Sequence, residues 1–336
     1  MAVSIPVIPP MWPAVKRDYP ITPRENLMRA LNHEKPLWMP ILYDSSQAVI
    51  SKCCQETPLN RKGDGYDWFG VFYKYSEAQS STTPMHGMFD EIYEWKEKVK
   101  WPDLNAIDWS IERENFVRDE NKALFMRFSN GPFERLHMFE GFEQALVDLM
   151  CEPEECREFF ERVIDYKIEL FNHLRDQFEL DFIIAADDYG TERAPFFSTD
   201  LFEQTLLEPQ KRFVKAVHDR GTKFIAHCCG KVDAFIPYFV DEIGVDGLEI
   251  QPINDVQKIL RDYGDRVVVE YKVDPYLAND DEVKKDDIIK HVRQIVDTYG
   301  AHSNKGSGVV MNLQSRLEDI YYLMENEFYN YSEKLY

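Results

Sequence analysis

The sequence predicts an α/β fold, a (β/α)₈ TIM barrel with an N-terminal arm and a long insertion after its second strand. Eight short apolar runs of strand length, rich in β-branched or aromatic residues, follow one another along the chain. Amphipathic helical stretches separate the later runs, and four of these end at a glycine suited to a left-handed cap. The chain contains neither G-x-G-x-x-G nor G-x-x-x-x-G-K-[ST], which argues against an open nucleotide-binding sheet.

The elements follow in chain order. Residues 1–21 are predicted to form an extended arm, because prolines punctuate them. Thr22-Pro23-Arg24-Glu25 is a capping box that opens a helix reaching Asn32, and Pro36 ends it. We expect residues 22–336 to form a single barrel domain. Its strands are predicted over Trp38–Tyr43, Trp68–Tyr73, Ala123–Phe128, Phe182–Ala186, Lys223–His227, Gly247–Ile250, Val267–Tyr271 and Gly308–Asn312.

The connections between these strands are of two kinds. The segment Pro84–Glu120, between the second and third runs, is too long for an ordinary loop and is predicted to cap the barrel. The later connections are helical, and the predicted helices are Pro153–Gln177, Thr199–Arg220, Val232–Ile243, Val256–Tyr263 and Glu282–Tyr299.

Composition and charge exclude several classes of protein. With 44% apolar and 29% charged residues among 336, the chain is predicted to be globular. Its net charge of −21 would repel phosphate groups, so we expect no nucleic-acid partner. No run has the ~18 apolar residues of a membrane span, and the proline-rich start does not fit a signal peptide. We therefore expect a cytoplasmic protein without a membrane partner, whose six cysteines are free thiols or metal ligands.

The C-terminal ends of barrel strands carry the catalytic residues, and here they carry metal-binding side chains. His227 and Cys229, two positions apart on one strand, point to the same side and can share a zinc ion. Glu249 and Glu270 lie in apolar runs, where a carboxylate needs a cation or a partner. Glu249 is the preferred third ligand and Glu270 the other candidate. The alternatives are inert cysteines beside a packed histidine, and salt bridges inside the barrel, to Lys272 for instance.

Two adjacent acids, Asp187 and Asp188, follow the fourth predicted strand. Because successive strand residues alternate in direction, at most one of them points straight into the site. That residue could act as a general acid or orient a histidine ligand. Capping of a loop by both carboxylates is the structural alternative.

Several motifs together resemble the uroporphyrinogen decarboxylase superfamily, and within it the cobamide-dependent methyltransferases. The resemblance runs through nearly the whole chain from Thr22 and implies a (β/α)₈ barrel. Its motifs are TPRENLMRALNHEKPLWMP, DWFGVFY, EWKEKVKWPDLNAIDW, GFEQALVDL, DDYGTE and AHCCGKVDAFIPYFVDEIGVDGLEIQP.

The chain departs from two patterns of that superfamily. The decarboxylases carry an arginine-bearing segment after the first strand, whereas this chain has Leu42-Tyr43-Asp44-Ser45-Ser46-Gln47, which disfavours a polycarboxylate substrate. The coenzyme M methyltransferases add a distant cysteine to an H-x-C zinc motif, and no cysteine follows Cys229 here. A carboxylate in its place would make a harder Lewis acid, suited to an oxygen substrate.

The resemblance then implies an ether-cleaving O-demethylase component. Zinc on His227, Cys229 and Glu249 would polarise the oxygen of an aryl methyl ether. Asp187 or Asp188 would donate a proton. The Co(I) corrinoid of a partner protein would take the methyl group. The alternatives are a decarboxylase of a smaller substrate, a corrinoid methyltransferase for methanol, methylamine or a thiol, and a binding barrel without activity. The oligomeric state stays open, a homodimer included. The predicted substrate-binding residues are Tyr43, Asp44, Phe72, Tyr73, Phe139, Tyr189 and Phe196.

Overall fold

The computed structural model describes residues 12–58, 63–78, 81–85 and 87–336. The first eleven residues of the predicted arm therefore lie outside the described residues. The described strands are β1 Ser46–Ala48, β2 Gly65–Tyr66, β3 Phe72–Ser76, β4 Ser81–Met85, β5 Ala123–Phe128, β6 Phe182–Ala186, β7 Lys223–Cys228, β8 Gly247–Ile250, β9 Val268–Lys272 and β10 Val309–Asn312.

Seven of these strands form one parallel sheet in the order β1-β5-β6-β7-β8-β9-β10. The two ends of this order come together, because Ile41 makes a parallel bridge to Met311 of β10. The backbone N–H of Met311 also donates to the carbonyl of Pro40 at 2.8 Å. Helices surround the curled sheet, so the fold is an α/β barrel-like fold, as predicted in outline.

The second predicted strand is wrong as a strand of the barrel. Residues Phe72 and Tyr73 belong to β3, which pairs antiparallel with β2 and β4 in a separate three-stranded sheet. The preceding residues cannot continue the strand, because the carboxylate of Asp67 accepts from the N–H groups of Phe69 and Val71 and Gly70 has a φ of 89°. This side-chain turn competes with the strand ladder.

The first predicted strand is only partly correct. A helical turn over Leu42–Ser45 interrupts it, so that Ile41 contacts β10 while Ser46–Ala48 pairs with β5. The side chain of Asn26 fixes the start of this run by accepting from the N–H of Leu37 and donating to the carbonyl of Trp38. The six later runs are strands in the structure, with ends that differ by one residue or less.

The helices fill most of the predicted connections. Thr22 caps the first one by accepting from the N–H of Glu25 at 3.1 Å. Two predicted helices are divided. The segment Thr199–Arg220 forms two α-helices, Thr199–Thr205 and Leu207–His218. The segment Val232–Ile243 forms a short 3₁₀ turn followed by a π-helical stretch, Tyr238–Ile243. The α-helices are α1 Pro23–Leu31, α2 Leu42–Ser45, α3 Trp95–Lys98, α4 Pro132–Glu140, α5 Phe142–Cys151, α6 Pro153–Gln177, α7 Thr199–Thr205, α8 Leu207–His218, α9 Val256–Tyr263, α10 Pro275–Ala278, α11 Lys285–Tyr299 and α12 Glu318–Ser332.

Alternation along the strands divides the core into two apolar layers. One layer lies between sheet and helices and includes Met126, Ile183, Cys228 and Leu248. The other fills the lower barrel interior, where α1 contributes Leu27, Ala30 and Leu31 and the strands contribute Phe125, Phe182, Ile184, Ile225, Val268 and Val310. Each fully buried Val, Leu, Ile, Phe or Met side chain among them stabilises the fold by about 1.5–3 kcal/mol. Within the part of the chain that the structure describes, no helix is long and apolar enough to cross a membrane.

Candidate metal centre

The inward-facing positions of the strands change from apolar to polar toward their C-terminal ends. Ile225 of the interior layer is followed two residues later by His227 and then by Cys229, and Val268 is followed by Glu270. The register places Ala186, His227 and Glu249 side by side on neighbouring strands, with Glu270 opposite Glu249. A ring of polar side chains therefore lies directly above the apolar interior.

Asp188, His227 and Cys229 form a cluster of candidate metal ligands at this end of the sheet. One ligand atom from each residue lies within 4.8 Å of the others. Nε2 of His227 is 3.4 Å from Sγ of Cys229 and 3.6 Å from Oδ1 of Asp188. The backbone N–H of Cys229 donates to Oδ1 of Asp188 at 2.7 Å, which fixes the carboxylate beside the thiol.

The donor atoms of this cluster suit zinc. Imidazole nitrogen, thiolate sulfur and carboxylate oxygen are the three kinds of ligand that zinc takes in proteins. Burial, and next the charge of Asp188, raise the pKa of the Cys229 thiol well above its usual range. A bound cation would reverse this effect by stabilising the thiolate. Cys228, one residue away, faces the outer apolar layer, as the alternation predicted.

The second ring nitrogen of His227 faces a carboxylate. Nδ1 lies 3.2 Å from Oε2 of Glu249, within ion-pair distance but without the alignment of a regular hydrogen bond. The same Oε2 accepts from Nη2 of Arg127 at 2.7 Å. Both side chains are buried, Arg127 at 4% and Glu249 at 1% exposure. Burial tends to raise the pKa of Glu249, but its interactions with the His227 ring and the Arg127 guanidinium outweigh burial and hold this pKa well below its usual range.

Glu249 and Glu270, the predicted third ligands, lie outside the cluster. Glu249 is on the opposite side of the imidazole from Cys229, since it faces Nδ1 and the thiol faces Nε2. Glu270 accepts from the amide of Asn312 at 2.5 Å, and burial together with the charge of Glu249 raises its pKa to about 8. The carboxylate that lies close to His227 and Cys229 is instead that of Asp188. The sequence analysis predicted Asp188 as a candidate proton donor and not as a metal ligand.

Asp187, the other predicted acid, points away from the cluster. Its carboxylate accepts from the N–H groups of Phe133 and Glu134 at the first turn of α4, and from the Tyr189 hydroxyl at 2.8 Å. Burial raises its pKa to about 7 against the effect of these hydrogen bonds. Asp187 therefore caps α4 against β6, which is the structural alternative that the sequence left open.

Most of the predicted aromatic residues pack in the core rather than around the cluster. The Tyr73 hydroxyl lies 3.5 Å from Asp67, and Phe139 is fully buried against Phe69 and Phe89. Tyr189 packs among phenylalanine rings. Phe196 contacts Phe133 and Phe142. Phe72 packs on Tyr66 in the antiparallel sheet. An aromatic-rich chain fills its core with such rings, so spacing alone could not select those that line a site.

The two substrate-binding residues predicted on the first strand, Tyr43 and Asp44, point to different sides of the sheet. Tyr43 lies in the barrel interior, with its hydroxyl 3.4 Å from Nη2 of Arg127. Asp44 faces outward, accepts from the Tyr321 hydroxyl at 2.5 Å, and lines a cavity of about 710 Å³ between residues 13–23 and α12. Burial raises the pKa of Asp44 to about 6. The helical turn at Leu42–Ser45 explains this separation, because it breaks the alternation of the strand.

Two residues near the cluster were missed by the sequence analysis. Arg127 occupies an inward position of the run ALFMRF, and a charged residue inside an apolar strand was the available signal. Glu134 is buried in the first turn of α4, where burial, and then the charges of Asp188 and Asp187, raise its pKa well above the usual range. No sequence motif marked Glu134, because its electrostatic interaction with Asp188 depends on the tertiary structure.

Both a family model and a solved structure are similar to this chain. A family model described as Uroporphyrinogen decarboxylase (URO-D) matches residues 88–317. A methyltransferase from Methanosarcina mazei has 13% sequence identity to the chain and a TM-score of 0.63, covering 94% of this chain and 98% of its own. This likeness concerns the fold alone.

Two further comparisons carry no argument about function. A type I 3-dehydroquinate dehydratase from Clostridium difficile is 10% identical, with 72% of this chain and 90% of that chain covered. Its TM-score of 0.22 is too low to indicate a common fold. No curated protein matches the chain.

Proposed function

The chain belongs to the uroporphyrinogen decarboxylase family, and from this premise we propose that it is a zinc-dependent methyltransferase of that family. Its reaction moves the methyl group of an aryl methyl ether to the Co(I) corrinoid of a partner protein. The observation that carries the proposal is the meeting of ligand atoms from Asp188, His227 and Cys229 within 4.8 Å at the C-terminal end of the sheet.

The three side chains would hold the metal, and their chemistry bears on the substrate. Zinc bound there would supply a Lewis acid for an ether oxygen, which eases departure of the phenolate. The site combines one thiolate with one carboxylate and one imidazole, and carboxylate ligands favour harder, oxygen-centred substrates. This composition supports an ether or an alcohol over a methyl thiol as the methyl donor.

The surrounding residues of the chain position the ligands and supply a proton. The N–H of Cys229 holds the Asp188 carboxylate, and Glu249 faces Nδ1 of His227. We add Glu134 to Asp187 as a candidate proton donor, because it is buried in the first turn of α4 and burial, and then the charges of Asp188 and Asp187, raise the pKa of its carboxyl. A carboxyl group with a raised pKa can hold a proton and donate it to the departing phenolate.

Charge at this end of the barrel disfavours the decarboxylation of a porphyrinogen. The carboxylate of Asp188 lies in the cluster, and those of Glu249 and Glu270 lie beside it. The neighbouring cations already form ion pairs with Glu249, Arg127 at 2.7 Å and Lys272 at 3.5 Å. A substrate with several carboxylates would meet repulsion that no free arginine among the described cluster residues offsets. A neutral methyl ether meets no such repulsion.

Methyl transfer can be assayed with free cob(I)alamin as the acceptor and a methoxyphenol as the donor. We expect loss of the cob(I)alamin absorbance together with release of the demethylated phenol. Removal of zinc with a chelator should lower the rate on the order of 100-fold or more, and added zinc should restore it. Methanol, a methylamine and a methyl thiol complete the panel of donors.

Cys228→Ala and Cys229→Ala are matched variants for this assay. The first removes a thiol of the outer apolar layer and should leave methyl transfer near the wild-type rate. The second removes a proposed ligand and should lower the rate as chelation does. Undiminished activity of the metal-free protein, or of Cys229→Ala, would contradict the proposal.

A further inference from the structure

A chain of three buried groups runs from the barrel wall to the candidate metal centre. Arg127 of β5 contacts Oε2 of Glu249 at 2.7 Å, and the same oxygen lies 3.2 Å from Nδ1 of His227. All three side chains are at most 4% exposed. We propose that Arg127 and Glu249 are a positioning pair that sets the tautomer and the orientation of the His227 imidazole. The inference rests on the proposed metal centre.

The two nitrogens of His227 have different surroundings. Nδ1 faces a carboxylate, whose oxygen can only accept a hydrogen bond, so the ring proton belongs on Nδ1. The lone pair of Nε2 then faces Sγ of Cys229 at 3.4 Å and Oδ1 of Asp188 at 3.6 Å. This is the tautomer that a zinc ligand needs, and a carboxylate on the other nitrogen also makes the imidazole a stronger donor.

Arg127 explains how Glu249 keeps its charge and its position in the interior. A carboxylate with 1% exposure requires a cation, and the guanidinium of Arg127 supplies one from β5, which β6 and β7 separate from β8 in the sheet. Lys272 contributes a weaker contact at 3.5 Å to Oε1, from a side chain that is 38% exposed. Within the described part of the chain, neither Nδ1 of His227 nor Oε1 of Glu249 makes a regular hydrogen bond. Such contacts are often poorly aligned in an empty site and tighten in the complete one.

Glu270 provides a matched control for Glu249. The two glutamates are register partners on β9 and β8, and both are buried. Glu270 is held by the Asn312 amide instead of by Arg127, and no contact to His227 is found among the described residues. A general effect of replacing a buried carboxyl group by an amide would therefore appear in both variants, whereas an effect on the imidazole belongs to Glu249 alone.

The test uses the full chain without any methyl donor. Zinc affinity is measured by competition with a chromophoric chelator for the wild type, Glu249→Gln, Arg127→Met and Glu270→Gln. The Co(II)-loaded proteins are then examined by NMR for the exchangeable, hyperfine-shifted N–H proton of a coordinated histidine. We expect Glu249→Gln to bind zinc about 10–100-fold more weakly and to shift this proton or lose it to exchange. Arg127→Met should change the zinc affinity and the N–H signal in the same direction as Glu249→Gln does. Glu270→Gln should leave the zinc affinity and the N–H signal unchanged.

The outcomes separate the two proposals. A wild-type protein that binds no zinc refutes the metal centre, and with it the proposed function. A wild type that binds zinc, with Glu249→Gln within twofold of its affinity and an unshifted N–H proton, refutes only the positioning pair. If a single variant does not fold, Arg127→Met combined with Glu249→Gln keeps the interior neutral and should show the same weaker binding; wild-type affinity in it overturns the inference.

Discussion

Replacing Glu140 with glutamine should stabilise the protein, and the gain should grow as the pH rises. Glu140 ends α4 with 7% exposure, and neither of its carboxylate oxygens has a hydrogen-bond partner among the described residues. Burial, and then the charge of Asp148, raise its pKa from 4.5 to about 9. The carboxyl therefore keeps its proton in the folded protein at neutral pH, where the unfolded chain has lost it.

The sign and size of the effect follow from this difference. Below about pH 4.5 the Glu140 carboxyl is protonated in both the folded and the unfolded protein, so its ionisation does not change the free energy of unfolding. Between pH 4.5 and about 9 only the folded protein keeps this proton, and its free energy of unfolding therefore falls as the pH rises. At ~1.36 kcal/mol per pH unit the upper limit is roughly 6 kcal/mol. Since local relaxation and water entry reduce such effects, we expect Glu140→Gln to gain about 1–3 kcal/mol on the wild type between pH 5 and pH 8.

Urea unfolding followed by circular dichroism at pH 5, 6, 7 and 8 measures this gain as the difference between the two proteins. Glu143→Gln, at an exposed position of α5, is the control and should stay within about 0.5 kcal/mol of the wild type at every pH. A difference that is constant with pH, or that shrinks as the pH rises, would refute the reasoning about Glu140.

Two further substitutions test the junction between α4 and β6. Asp187→Asn should lower the free energy of unfolding by about 1–2 kcal/mol, because the carboxylate accepts from two N–H groups of α4, yet zinc bound per chain should not change. Calorimetry and metal analysis check this, and loss of zinc would place Asp187 in the metal centre. Gly131→Ala should cost about 1–3 kcal/mol, because its Cβ would lie 2.4 Å from Cβ of Asp187. A thermal midpoint equal to that of the wild type would show that this contact relaxes freely.

The later strands were predictable because each of them obeys local rules. An apolar run of four to six residues, closed by a turn, forms a strand with little dependence on context, and β5, β6 and β8 have the predicted ends. The run Trp68–Tyr73 failed because its interruption depends on the Asp67 side chain and on Gly70 at a φ of 89°. Apolar composition does not record that turn.

The candidate site was predictable in its position but not in its full ligand set. Counting inward positions along one strand places His227 with Cys229, and the same alternation from Ala186 selects Asp188 over Asp187. The distinction between Glu249 and Asp188 could not be made this way, because it depends on which imidazole nitrogen each carboxylate faces. Arg127, which holds Glu249, lies 122 residues away in the chain.

X-ray absorption at the zinc edge of the purified protein, together with metal analysis, tests the metal centre most directly. We predict one zinc per chain with one sulfur neighbour at about 2.3 Å and nitrogen or oxygen neighbours at about 2.0–2.2 Å. The sulfur signal should disappear in Cys229→Ser and persist in Cys228→Ser. A protein without zinc, or a zinc without any sulfur neighbour, would contradict the site built from Asp188, His227 and Cys229.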